Sequence, residues 1–117
     1  MIEESHILNA EVINELIGII GDDLTEIYDE FRSSTILNFE NAHKSLSNNE
    51  FDKLCTIIHS VKGAAGNIGL ELLSNQCHEY ESLLRNKETT NHQQTLTSLE
   101  TTFRNSIDEL IEQGLLS

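Results

Sequence analysis

From Val12 to Leu110 the apolar residues of this chain return at intervals of three and four, and no proline interrupts them. That period belongs to helices with one buried face, and nowhere do β-branched residues alternate with polar ones for more than a few positions. Five helical segments are expected. The first, Asn9 to Ile20, carries Val12, Ile13, Leu16 and Ile20 and stops near Gly18 to Gly21. After Gly21-Asp22-Asp23, which suits a helix start with acids in its first turn, Leu24, Tyr28, Phe31, Thr35, Phe39, Ala42 and Leu46 form one stripe of more than six turns. The third helix runs from Asn49 or Glu50 to Ile68, facing its core with Leu54, Ile57, Ile58, Val61, Ala65 and Ile68. The fourth places Leu73, Cys77, Tyr80 and Leu84 in register and ends in the polar run RNKETTN. The fifth spans His92 to Leu115, with Leu96, Leu99, Phe103, Ile107 and Leu110 inward.

Four long stripes joined by short polar loops bury themselves only against one another, and short loops make neighbours antiparallel. The expected fold is all-α: an up-down-up-down four-helix bundle with a short N-terminal helix capping one end. With 117 residues and 38% hydrophobic content the chain is read as one domain, residues 1–8 as a flexible tail. Met1 and the lack of any kinase or receiver segment are expected of a free-standing protein.

Charge removes several classes of function. Twenty acidic residues against seven basic give a net charge of −13, and the basic residues stand singly at Arg32, Lys44, Lys53, Lys62, Arg85, Lys87 and Arg104. Nucleic acids and anionic membrane surfaces are bound by clustered Lys and Arg, so neither is an expected partner. No apolar run reaches the roughly 18 residues of a membrane span, and MIEES is acidic where a secretory leader is basic. A cytoplasmic protein is expected. Cys55 and Cys77 lie within helical patterns with no CxxC spacing, as reduced thiols do.

One helix breaks its own rule. The stretch IHSVKGAAGNIGL holds Gly63, Gly66 and Gly69, although a glycine inside a helix costs about 1 kcal/mol against alanine. On a wheel at about 100° per residue, His59, Gly63 and Gly66 lie about 120° to 180° from the core direction, with Lys62 between. Gly69 sits where a helix-ending glycine belongs. An imidazole thus stands over bare backbone beside a lysine. A neutral imidazole nitrogen is a good nucleophile near neutral pH and accepts a phosphoryl group in a step that asks mainly for positioning and charge stabilisation. Lys62 supplies charge, and Gly63 and Gly66 leave clearance for a partner's active site.

These residues resemble the signature of histidine-containing phosphotransfer (HPt) domains, H-x-x-K-G-x-x-x-x-[apolar]-G, and the order of the helices is similar to that family throughout. The resemblance implies a carrier that relays a phosphoryl group between aspartates of response-regulator receiver domains, including the receiver of a hybrid sensor kinase, through His59. It implies attack by Nε2 with Nδ1 protonated toward Glu81 on the following helix, and an electrostatic or Glu81-holding role for Arg85. It further implies no cofactor of its own, with Mg²⁺ supplied by the receiver; a bundle that keeps its active helix open to partners is expected to work as a monomer. No GxxxxGK[ST] loop is present, so ATP is not expected as a direct donor and the protein is read as a carrier rather than an enzyme.

The competing readings explain less. A lone histidine on a polar face is ordinarily just solvated, as is a lone lysine, but neither accounts for three glycines in register; for Glu81 a solvated face is the ordinary reading without the resemblance. Metal binding has only one E-x-x-H, Glu40 and His43, plus Cys55 and His59 at i, i+4, where a di-iron bundle needs two E-x-x-H motifs and two further glutamates. Hence no metal site is expected. His6, His78 and His92 form no triad with a serine. The second class is a non-catalytic adaptor binding a signalling partner through the same patch.

Overall fold

A computed structural model describes all 117 residues. It contains α1 (Ala10–Ile20), a 3-10 turn (Gly21–Asp23), α2 (Leu24–Ser47), α3 (Phe51–Asn67), α4 (Glu71–Arg85) and α5 (His92–Glu112), and no strand. Helices α2 to α5 form a ring of four in which each packs on the next and α5 closes on α2. At 1.5 Å per residue the 24-residue α2 is about 36 Å long. It therefore sets the long dimension of the 42 × 22 × 20 Å particle. No helix is long and apolar enough to cross a membrane.

The core is the set of stripes read from the sequence, with local shifts at the ends. Leu24, Tyr28, Phe31, Thr35, Phe39 and Ala42 are buried on α2, but the last turn buries Ser45 and leaves Leu46 half-exposed. Ile57 on α3, Ile68 at its C-cap and Leu84 on α4 are likewise half-buried. Phe103 of α5 packs edge-on against Phe31 and at a tilt against Phe39, with ring centroids 6.0 and 5.7 Å apart. Asn9 and Asn91 cap α1 and α5 through their side-chain oxygens. The Asp22–Asp23 pair forms the 3-10 turn and makes no side-chain cap to α2.

The joint between α3 and α4 decides where the site forms. Leu70 N–H donates to the Ala65 carbonyl at 2.9 Å and Gly69 N–H to the Gly66 carbonyl, closing α3 with a Schellman turn around Gly69 at φ +86°. The Asn9 N–H donates to the Gly69 carbonyl at 2.8 Å, and the Leu72 N–H to Ile7, so α1 and the residues before it sit on this turn and cap that end of the bundle. Tyr28 spans the core to donate to the Ile68 carbonyl at 2.8 Å, and burial pushes its hydroxyl up to about 12.

Residues 1–8 are not the free tail expected. They form no helix, yet Ile2 and Leu8 are buried, Ile2 exchanges backbone hydrogen bonds with the Asn14 side chain, and Ser5 donates to Glu109 of α5. Two apolar residues spaced six apart carry no period to read.

Candidate functional site

The α3–α4 pair brings three of the singled-out residues onto the carboxylate of a fourth, Glu81. Glu81 lies on α4 with its side chain only 5% exposed. His59 Nδ1 is 2.7 Å from its Oε2, Lys62 Nζ is 2.6 Å from its Oε1, and Arg85 approaches Oε2 with Nη2 at 2.7 Å and Nε at 3.2 Å. Four N–H donors thus surround one carboxylate, which only accepts when ionised: three converge on Oε2 and one meets Oε1. Burial alone works to raise the Glu81 carboxyl, but the bonds from Lys62, Arg85 and His59 outweigh it and hold the group down at about 2.

That ionisation settles the imidazole. A carboxylate that only accepts requires its partner nitrogen to carry the proton, so Nδ1–H points at Glu81 and the Nε2 lone pair is left to the outside. The His59 side chain is 58% exposed and no other group of the chain bonds it. Beside the ring a groove of about 750 Å³ runs between the first half of α3 and the end of α4, with Phe51, Cys55, Leu83, Leu84 and Arg85 in its walls. Cys55, one turn before His59 on α3, is thus a wall of this groove.

The Hpt domain family model matches residues 26–113. The chain belongs to the Hpt domain family. Histidine phosphotransfer in a two-component phosphorelay is accordingly its function, and it acts there as a carrier. The fold is also that of histidine-containing phosphotransfer protein B from Pseudomonas aeruginosa PAO1, at 23% identity over 96% of each chain and a TM-score of 0.87. No curated protein matches the sequence.

Within this Hpt domain the glycines separate. A Cβ at Gly63 meets nothing within 4 Å, so that position is open space beside His59. A Cβ at Gly66 lies 3.0 Å from Ser74 Oγ on α4, so Gly66 also makes room for a neighbour inside the domain and is not clearance for a partner alone. Lys62 differs from the sequence reading as well. Its side chain is only 25% exposed and its ammonium is held by Glu81, where a solvent-facing charge was expected. Arg85, 62% exposed, takes the Glu81-holding arrangement. Sequence reasoning missed Ser74, a small polar residue whose only signal is its place on the Glu81 face of α4, two turns earlier.

Elsewhere, Glu40 stands one turn before His43, but His43 pairs across to Glu100 of α5 at 2.5 Å. No three His, Cys, Asp or Glu side chains converge in a metal-ligating geometry.

The Glu81 cluster makes stability depend on acid in a definite direction. A carboxyl lowered from 4.5 to about 2 contributes stability that is fully present above 4.5 and is lost as pH falls toward 2. Thermal unfolding of the parent and of Glu81→Gln should therefore converge across that window, since glutamine does not titrate. A gap that stays constant down to the lower limit would mean that Glu81 is not the ionised hub.

Proposed function

We propose that His59 is the phosphoryl acceptor, attacking through Nε2, and that its donors and acceptors are the aspartyl phosphates and aspartates of receiver domains. The observation that carries this reading is the exposed ring whose Nδ1 is tied to a buried, ionised Glu81. As the Nε2–P bond forms, the P–O bond to the receiver's aspartate breaks and the carboxylate leaves with its electron pair. The ring gains positive charge opposite Glu81, which steadies it while Nδ1 keeps its proton. Transfer to a second receiver reverses these events.

Lys62 has two ammonium protons left after its bond to Glu81, and these serve the incoming phosphoryl oxygens from one turn along α3. Arg85 adds field at the groove side of the ring. Mg²⁺ arrives with the receiver, since phosphoryl transfer from a carboxyl phosphate gains from a metal on the phosphoryl oxygens and that reading asks no metal of this chain. The sequence holds no nucleotide cradle, so the phosphoryl group comes from a partner protein and not from ATP. A single copy in the cytoplasm meets these requirements.

Incubation with a phosphorylated receiver and Mg²⁺ should place one acid-labile, base-stable phosphoryl group on the protein, mapping to His59 by mass spectrometry of its peptides. Label on any other residue moves the acceptor away from His59, and no label from a panel of receivers of the same genome leaves the adaptor.

Gly63 supplies a separate check. Alanine there meets open space and adds helix propensity, so Gly63→Ala should raise stability by about 1 kcal/mol. The same methyl group stands in the approach to the ring, so transfer should slow, and Gly63→Leu should slow it further. Unchanged rates in both variants would remove the clearance role.

A further inference from the structure

Gly66 and Ser74 face each other across the α3–α4 contact, and so do His59 and Glu81. The two pairs share one antiparallel register, since each member of one lies seven residues from its counterpart in the other. Seven residues are two turns, about 10.5 Å of helix. Ser74 Oγ donates to the Lys62 carbonyl at 3.0 Å and presses toward the bare Cα of Gly66, where a Cβ would lie 3.0 Å from Oγ and 3.7 Å from the Ser74 Cβ. The bonded carbonyl belongs to the residue whose ammonium grips Glu81.

We infer that Ser74 is a positioning residue for phosphotransfer. Resting on the reading of His59 as acceptor, it sets with Gly66 the separation and register of α3 and α4 at which His59 Nδ1 meets Glu81. It does so by steric and hydrogen-bond geometry at the backbone, without touching the ring. The Lys62 carbonyl keeps its ordinary helical partner with or without Ser74, so the Ser74 bond is not needed to close α3. Its consequence lies at the interface. The 2.7 Å bond leaves the ordinary N–H···O range once its atoms separate beyond about 3.2 Å, and it weakens steeply when they turn out of line, so the register set two turns away matters at the ring. The absent side chain at Gly66 is what lets Oγ reach a carbonyl four residues earlier on the neighbouring helix.

Four proteins test this: the parent, Ser74→Ala, Gly66→Ala and the double variant. Two readouts apply to each, the ¹⁵N shifts of the His59 ring, which report whether Nδ1 or Nε2 carries the proton, and the rate of transfer from a phosphorylated receiver. Ser74→Ala should admit the Nε2–H tautomer and slow transfer about tenfold, the effect typical of losing a group that orients a functional histidine. Gly66→Ala should do more, because its methyl group meets Oγ at 3.0 Å, so that the hydroxyl must give by a few tenths of an ångström and its bond to the Lys62 carbonyl is disturbed along with the packing. Adding Ser74→Ala to Gly66→Ala should restore both readouts to the Ser74→Ala level, since the remaining 3.7 Å contact between β-carbons is ordinary packing. Parent-like ¹⁵N shifts and rate in Ser74→Ala overturn the inference. So does a Gly66→Ala defect that Ser74→Ala leaves undiminished, which would return Gly66 wholly to partner clearance. A parent that accepts no phosphoryl group defeats the acceptor reading instead, and the ¹⁵N shifts still decide the role of Ser74.

Discussion

Replacement of His59 by glutamine is expected to abolish phosphoryl transfer outright while changing stability by no more than about 0.5 kcal/mol. The two halves of this expectation have separate causes. Glutamine has no nitrogen lone pair to attack phosphorus, because its amide nitrogen is conjugated and its oxygen is a poor nucleophile, and so no N–P bond forms. The side chain it replaces is more than half exposed, its backbone is ordinary helix, and glutamine is a good helix former whose amide N–H reaches toward the same Glu81 oxygen. A phosphorylated receiver mixed with the variant should keep its label, as followed by gel autoradiography, and thermal unfolding should match the parent. Transfer at a measurable rate would move the acceptor elsewhere. Loss of transfer together with a collapse in stability would mean that the imidazole also holds the fold.

Gly69→Val is expected to have the largest structural effect of any single substitution considered, a loss of about 3 kcal/mol. Two independent terms add. A side chain at φ +86° costs about 1 to 2 kcal/mol against the left-handed backbone. A Cβ there would lie 2.5 Å from Ile13 Cγ1 and 3.1 Å from Ile13 Cδ1, and forcing apart a packed core contact costs typically 1 to 3 kcal/mol. For a domain of this size that is a fall in midpoint of roughly 10 to 15 °C. The damage reaches function by a defined route. Gly69 ends α3, its carbonyl receives the Asn9 N–H that docks α1, and the Schellman turn joins α3 to α4 next to the Gly66–Ser74 contact, so strain there reaches the register that brings His59 to Glu81. Calorimetry measures the first effect. A midpoint within about 3 °C of the parent would show that the turn relaxes without cost and that register is set elsewhere.

The site and the fold were legible in the sequence to different degrees. His59 and its exposed stripe could be read because a helix's own period places each of its residues relative to its core face, whatever packs there. Gly63 and Gly66 looked alike for the same reason: both fall on the stripe away from the core. They differ only because α4 passes beside one and not the other. Lys62 read as a surface charge serving phosphate beside the exposed stripe and Glu81 as a residue given its role only by resemblance, yet the first is mostly buried and the second almost wholly. Lys62 is paired inside by Glu81, and Glu81 by Lys62, Arg85 and His59, and a single-helix pattern does not contain a neighbour's charge.

The sequence by itself determined the helices, their core stripes, the antiparallel order and the phosphotransfer signature, because apolar period, glycine placement and short polar loops act within one segment or between adjacent ones. The tertiary structure decided the rest. It made Glu81 the common acceptor for three cationic or N–H-bearing side chains, turned Gly66 toward Ser74, and pinned residues 1–8 through Ile2, Leu8 and Ser5. Each of these depends on the distance between atoms far apart in the chain, and that distance is set by how four amphipathic faces close around one core.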